Sequence, residues 1–300
     1  MAIFKLSWHR HNLCFGDHKT LVMGILNVTP DSFSDGGKFY QFEKAITHGK
    51  KLVKDGADII DIGGESTKPF SKPVSAEEEA RRVLPVIEKL AQCISVPISI
   101  DTTKASVAKK AIKAGASIIN DIGALQLDPE MADVAALFKV PVILMHMINT
   151  PETMQLSPEY YNVISDIKKY IKSVIDFAVK RGISRSKIII DPGIGFGKTV
   201  RHNLLLIKHL AEFQSFNAPI LIGTSRKSFI RNIYCAQNKN TAMLNLNQLI
   251  ETGTQASIAA CVLYGAHIVR VHDVAATCAT LKIINAIKNV SSKNYQNNPI

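Results

Sequence analysis

The chain has 300 residues, 46% of them hydrophobic, which is enough for one large core, and length alone allows one or two domains. No continuous apolar stretch approaches the roughly 18 residues of a membrane span, and the opening Met1–Arg10 meets charge too early for a secretion signal, so the sequence reads as cytoplasmic with no membrane partner. A formal charge of +11 admits nucleic acid or a small polyanionic substrate, but the cations are scattered over predicted helices (Lys50-Lys51, Arg81-Arg82, Lys109-Lys110, Lys168-Lys169) without interleaved aromatics, which argues against a nucleic-acid partner.

Residues 1–20 alternate around Gly16-Asp17 and predict a short N-terminal hairpin capping the bottom of whatever follows. From there, apolar runs of strand length begin near residues 21, 57, 97, 116, 141, 187, 219 and 267. Amphipathic stretches with helical spacing fall at 42–56, 75–92, 104–114, 130–139, 160–181, 201–211, 250–264 and 274–288. Strand–helix alternation of this kind implies a parallel sheet, and about eight βα units close most naturally into a (β/α)8 TIM barrel over 21–289, in a single domain, with a polar tail at 290–300. An open doubly wound sheet is the alternative, but it would gather ligands at one switch point. Here nearly every strand ends in a chemically useful residue, as the C-terminal mouth of a barrel requires: Asn27, Asp61, Asp101, Asn120-Asp121, His146, Asp191, Arg226-Lys227 and Arg270-Val271-His272.

Long loops after the first two barrel strands, Thr29–Gly37 and Thr67–Pro73, are rich in turn formers and read as lids. The five cysteines lie far apart with no Cys-x-x-Cys pair, so neither a disulfide framework nor a zinc site is indicated.

Gly193-Ile194-Gly195-Phe196-Gly197-Lys198 invites a nucleotide-binding reading that fails in detail. A P-loop needs glycine where Pro192 stands, and the dinucleotide fingerprint needs one where Lys198 stands. The glycines instead let the backbone turn sharply after Asp191 and give Phe196 room at the mouth. Asp101, Asn120 and Asp191 put two acids and an amide at the ends of apolar strands, where unpaired charge is costly. A flat heterocycle with adjacent N–H groups would satisfy them, a carboxylate accepting two parallel hydrogen bonds. A metal cluster is the rival and lacks ligand spacing; helix capping by Asp101 is the bland alternative. Ser225-Arg226-Lys227-Ser228 opens a helix after the seventh strand, and Arg270 and His272 share a face by period two, so both sites are candidate anion seats where barrels often hold phosphate.

Taken as an ordered set, Asn27–Gly37, Gly63-Gly64-Glu65-Ser66-Thr67, Asp191–Lys198, Ser225-Arg226-Lys227 and Arg270–Val274 resemble the dihydropteroate synthases, over roughly residues 20–280. The resemblance implies a transferase of folate biosynthesis that joins p-aminobenzoate to 6-hydroxymethyl-7,8-dihydropterin diphosphate and releases pyrophosphate. It implies Asp101, Lys227, Arg270 and His272 as catalytic groups. Asp101, Asn120, Asp191 and Lys227 would hold the pterin, with Met145, Ile122, Gly223 and Arg270 lining its faces. Asn27 would be the direct Mg²⁺ ligand, gripping the diphosphate together with Arg270 and His272. Thr67, Lys68, Pro69, Phe196, Lys227, Ser228 and Phe33 would shape the aminobenzoate pocket. A cytoplasmic homodimer and a sulfonamide target are further implications. One departure stands out. The second loop usually reads Ser-Thr-Arg-Pro-Gly in the family, and Lys68 and Phe70 here replace the forked donor and the glycine. A pterin-binding methyltransferase on the same barrel is the rival enzyme, against which the diphosphate seat at Arg270 and His272 speaks, and a basic, non-catalytic nucleic-acid-binding barrel is the rival from another class.

Overall fold

β-Branched residues dominate the apolar runs, and the backbone takes the extended form they favour. In the computed structural model, which describes residues 3–16, 19–29, 38–67, 71–156, 158–237 and 245–290, the strands are β1 Phe4–Trp8, β2 His11–Phe15, β3 Leu21–Asn27, β4 Ile59–Gly63, β5 Ile98–Asp101, β6 Ile118–Asp121, β7 Val142–Met145, β8 Ile188–Asp191, β9 Leu221–Ile222 and β10 Ile268–Val271. The helices are α1 Lys38–Lys54, α2 Ala76–Ala91, α3 Ala105–Ala114, α4 Glu130–Phe138, α5 Val163–Lys180, α6 Val200–Lys208, α7 Ser228–Gln237, α8 Leu246–Leu263 and α9 Val274–Asn289.

Eight strands form one parallel sheet in the order β8-β7-β6-β5-β4-β3-β10-β9. Its two edges meet where Ile190 bridges Ile220 and the Ile190 N–H donates to the Pro219 carbonyl at 2.9 Å, so the sheet curls into a cylinder. This is the eight-stranded barrel the alternation predicts, not the open sheet. The strands are buried on both faces: all five residues of β4 are inaccessible, and so are all four in each of β5, β6, β7 and β8. Burying each such isoleucine contributes about 1.5–3 kcal/mol.

The β1–β2 hairpin is antiparallel, with Phe4 opposite Phe15 and Trp8 opposite His11. Phe4 meets His267 edge-on at 4.8 Å, His9 Nε2 bonds the Phe138 carbonyl at 3.0 Å, and Lys187 donates to the Ser7 carbonyl. Those partners precede β10, β7 and β8, so the hairpin lies across the N-terminal ends of the strands, away from the mouth.

The helices depart from the spacing in two informative places. α5 starts at Val163 and not near residue 160, because the Asn162 side chain caps it, accepting from the Ile164 and Ser165 N–H groups at 3.1 Å each. α7 is a full helix of its own between β9 and α8, so the seventh unit carries two helices where the periodicity marked only the second. The strand before it is short, two residues between Pro219 and Gly223. All five cysteines are free thiols, and no described helix is long and apolar enough to cross a membrane.

Gly115 ends α3 at φ 119°, and a Cβ built there would meet the Ala91 Cβ at 2.5 Å. Gly115→Ala is therefore expected to lower the unfolding free energy by about 1–3 kcal/mol in urea titration. An unchanged midpoint would show that α2 and α3 can part without penalty.

Candidate active site

Residues opposite one another on neighbouring strands point to the same side of a sheet, so the register can be followed round the barrel. Arg270 lies opposite Met23, Asn27 opposite Gly63, Ile25 opposite Asp61, Gly63 opposite Asp101, Asp101 opposite Asn120, Asn120 opposite Ile143, and Met145 opposite Asp191. With period two along each strand, Arg270, Asn27, Asp61, Asp101, Asn120, Met145 and Asp191 all share one face, and contacts across the barrel identify it as the inner one. Arg270 Nε donates to Asp61 Oδ2 at 2.6 Å, Arg270 Nη2 donates to Asp101 Oδ2 at 2.6 Å, and Asn120 Nδ2 donates to the same Asp61 Oδ2 at 3.0 Å. Asp61 is fully buried, Asp101 nearly so, and Arg270 is partly open to the mouth.

Burial drives the Asp101 carboxyl well above the usual carboxylate range, Arg270 pulls it back, and the neighbouring Asp61 adds to the rise. The Arg270 guanidinium is also raised above its usual range: burial works against its charge, and the attraction of Asp61 and Asp101 together outweighs it. Gly223 follows β9 and lies beside Arg270, a Cβ built there falling 3.8 Å from the Arg270 Cβ, an ordinary contact distance.

Asp191 closes β8 and accepts the Gly193 N–H at 2.7 Å. Burial raises its carboxyl to about 6 against the pull of that bond and of Lys227. The turn it anchors has positive φ at Gly193, Gly195 and Gly197 and carries Phe196 inward. Lys227 Nζ sits 3.8 Å from the centre of the Phe196 ring, a cation–π contact, and burial with Arg270 nearby lowers its amine to about 8. Ile122, Met145 and Phe196 pack with Met147 and Met154 into a small apolar cluster apart from the main core. One wall at the mouth is therefore greasy and cationic, while the floor is carboxylate and amide.

Thr67, Asp101 and Ile122 line a cavity of about 250 Å³ together with Glu65, Glu79 and Lys104. Lys104 bridges Glu79 at 2.6 Å and also reaches Glu65. Ser225 Oγ and His272 Nδ1 are 2.9 Å apart, which joins the ends of β9 and β10. Ser228 is the exposed first residue of α7. Asn27 Oδ1 and Asp101 Oδ2 each lie 3.7 Å from a Cβ built on Gly63, so this glycine keeps the space between them clear. Phe33, Lys68, Pro69 and Phe70 lie outside the described residues, as does most of the first lid loop.

The structure brings Asp101, Asn120 and Arg270, three of the residues singled out from the sequence, into one network, and at its centre stands a residue the sequence reading did not assign to the site. Asp61 was visible as an acid at a strand end, and only the register reveals that it receives both Arg270 and Asn120. Asp121 turns out to be a loop organiser: its carboxylate accepts the Gly123 and Leu125 N–H groups at 2.8 and 2.7 Å. His146 points to neither floor nor mouth; its Nδ1 accepts from the buried Lys198 at 3.0 Å.

The family model for pterin-binding enzymes matches residues 23–272. The dihydropteroate synthase of Bacillus subtilis (strain 168) is 46% identical over 271 residues, 90% of each chain. Among solved structures, a Yersinia pestis dihydropteroate synthase in complex with a sulfonamide drug superposes with TM-score 0.87 at 40% identity, covering 96% of this chain and 100% of that one. The Xanthomonas albilineans dihydropteroate synthase superposes with TM-score 0.83 at 40% identity when solved with 4-aminobenzoic acid and 0.80 at 39% with 7,8-dihydropteroate, covering 93% of this chain and 96% and 97% of those.

Removing the shared acceptor strands two donors at once. Asp61→Ala is expected to lower the unfolding free energy by about 2–4 kcal/mol, with a smaller loss for Asp61→Asn, which keeps one acceptor oxygen. A loss below about 0.5 kcal/mol in chemical denaturation would show that Asp101 alone holds Arg270.

Proposed function

Because the chain belongs to the pterin-binding enzymes, as a transferase of the dihydropteroate synthase kind, we propose that it condenses p-aminobenzoate with 6-hydroxymethyl-7,8-dihydropterin diphosphate to give 7,8-dihydropteroate and pyrophosphate. The observation that carries the reading is the buried acid–amide–guanidinium floor of Asp61, Asp101, Asn120 and Arg270, facing Lys227 and Phe196 across the mouth. The ligands of the Xanthomonas albilineans structures, 4-aminobenzoic acid and 7,8-dihydropteroate, are the amine substrate and the product of this reaction.

In this reading Asp101, Asn120 and Asp191 accept and donate along the polar edge of the pterin, with Lys227 donating beside them. Ile122 and Met145 supply apolar contact to its faces. The methylene C–O bond breaks with its electron pair leaving on the diphosphate, and the arylamine nitrogen then forms the new C–N bond and sheds a proton. Asp101 stands where positive charge grows on the heterocycle, and the Arg270 guanidinium together with His272, oriented by Ser225, faces the departing anion. Phe196, Thr67 and Ser228 flank the amine. Exclusion of water from the mouth would keep hydrolysis from competing.

Mg²⁺ is part of the proposal. The oxygens near Gly63, Asn27 Oδ1 and Asp101 Oδ2, are hard donors of the kind Mg²⁺ takes. Asn27 would hold it, and when bound it would neutralise charge on the diphosphate. A cytoplasmic homodimer belongs to the same proposal on family grounds.

Purified protein given both substrates and Mg²⁺ is expected to form dihydropteroate and pyrophosphate in equal amounts. Asp101→Asn and Lys227→Ala should each lower kcat about 100-fold or more, with both variants still folded and Asp101→Asn losing some stability through its weaker hold on Arg270. Near-normal turnover in both variants would overturn the assignment.

The acid limb of kcat/KM should begin to fall near pH 7, where Asp101 gains its proton, and fall further as pH drops through about 6, where Asp191 gains its own and stops accepting. The alkaline limb should fall as pH rises through about 8, where Lys227 loses the proton it donates. Lys227→Arg should shift the alkaline limb upward; an alkaline limb unmoved by that change would remove Lys227 from the pH response.

A further inference from the structure

The turn after β8 is held by side chains brought from three directions. Asp191 accepts the Gly193 N–H at 2.7 Å, and Asn203 Oδ1 accepts the Gly195 N–H at 2.7 Å. Gln155 Nε2 donates to the Gly195 carbonyl at 2.9 Å, and the Tyr160 hydroxyl donates to the Gly197 carbonyl at 2.9 Å. Lys198 Nζ donates to the carbonyl of Phe196 itself at 2.9 Å. Three glycines with positive φ give this segment wide conformational freedom when unfolded, and such a turn keeps one shape only if its peptide groups are tethered.

Lys198 stands out among the tethers. It is 4% exposed, its amine lies 6.0 Å from the centre of the Tyr160 ring, and its other hydrogen bonds go to the His146 Nδ1 at 3.0 Å and the His146 carbonyl at 3.4 Å, so all three acceptors are uncharged. Accepting at Nδ1 requires a neutral imidazole with its proton on Nε2, and burial beside Lys198 does push His146 down to about 2. Tyr170 meets the imidazole edge-on at 4.9 Å and fixes its plane. An amine buried against neutral acceptors costs stability that an apolar side chain would not. What it supplies is a rigid link between the end of β7, at His146, and the peptide that bears Phe196.

We propose that Lys198 is a positioning residue for the arylamine substrate: by clamping the Phe196 carbonyl to the end of β7, it holds the Phe196 ring over Lys227 and so sets the amine side of the pocket. The inference rests on the reaction proposed above. It separates the two substrates, because Asp101, Asn120 and Arg270 are placed by strand register, which Lys198 does not touch.

The test is steady-state kinetics of Lys198→Met, close to lysine in length and apolar. The expected result is a rise of about tenfold or more in KM for p-aminobenzoate, with KM for the pterin diphosphate within about twofold and kcat falling less than the first KM rises. Unchanged KM values, or both rising together, would overturn the proposal. Lys198→Gln, which keeps an N–H donor on a shorter stem, carries the same test if the methionine variant does not fold, and loss of fold in both would assign Lys198 to folding alone and overturn it too. A wild-type enzyme that makes no dihydropteroate sinks the proposed reaction; an active wild type without the split sinks only this inference.

Discussion

A single guanidinium ties the barrel mouth together. Arg270 leaves β10 and reaches the carboxylates of β4 and β5, and Asn120 of β6 joins the same Asp61 oxygen, so four strands converge on one charge. Two buried acids this close repel one another, and neither could stay ionised at modest cost without the arginine. Arg270 in turn is held almost out of water and needs both of them. The planar fork suits the task in a way a lysine would not, since Nε and Nη2 address two different carboxylates at once.

That constraint divides the site into parts with different mechanical properties. The floor is made of strand ends, whose positions follow from hydrogen-bonded register and a close-packed core on the outer face. In the proposed reaction the amine side is made of the glycine-rich turn after β8 and the start of α7. Precision on the floor comes from the sheet. On the amine side it must come from side chains that tether backbone, and Asp191, Asn203, Gln155, Tyr160 and Lys198 do this for one turn.

The placement of charge follows the same division. The buried carboxyls of Asp101 and Asp191 are raised by loss of water, and the Lys227 amine is lowered for the same reason with Arg270 adding to it. Groups whose proton affinities have been drawn toward neutrality from both sides, facing one another across a cleft, are a common property of sites that handle protons and ions. By contrast, Glu78 and Arg81 form an ion pair on the outside of α2, open to solvent and of the kind that contributes little to stability.

Most of the architecture was legible in the sequence. Isoleucine-rich runs alternating with amphipathic stretches specify βα units by local propensity and period, and a polar residue at the close of nearly every run marks the end of the barrel where ligands bind. The glycines after Asp191 declared a sharp turn, and the ordered motifs declared the family. Three things needed the fold. The shortness of β9 and the separateness of α7 were hidden: the chain shows a helix opening at Ser225–Ser228, but periodicity marks only the later helix of that connection. The centrality of Asp61 was hidden because it depends on which strands are neighbours round a closed sheet, a relation between residues 209 positions apart in the chain. The roles of His146 and Lys198 were hidden because a strand-end histidine and a loop lysine look like site groups until their partners are seen. Local patterns encode what each segment becomes, but hydrogen-bond partners across a barrel are set by closure, and closure is a property of the whole chain.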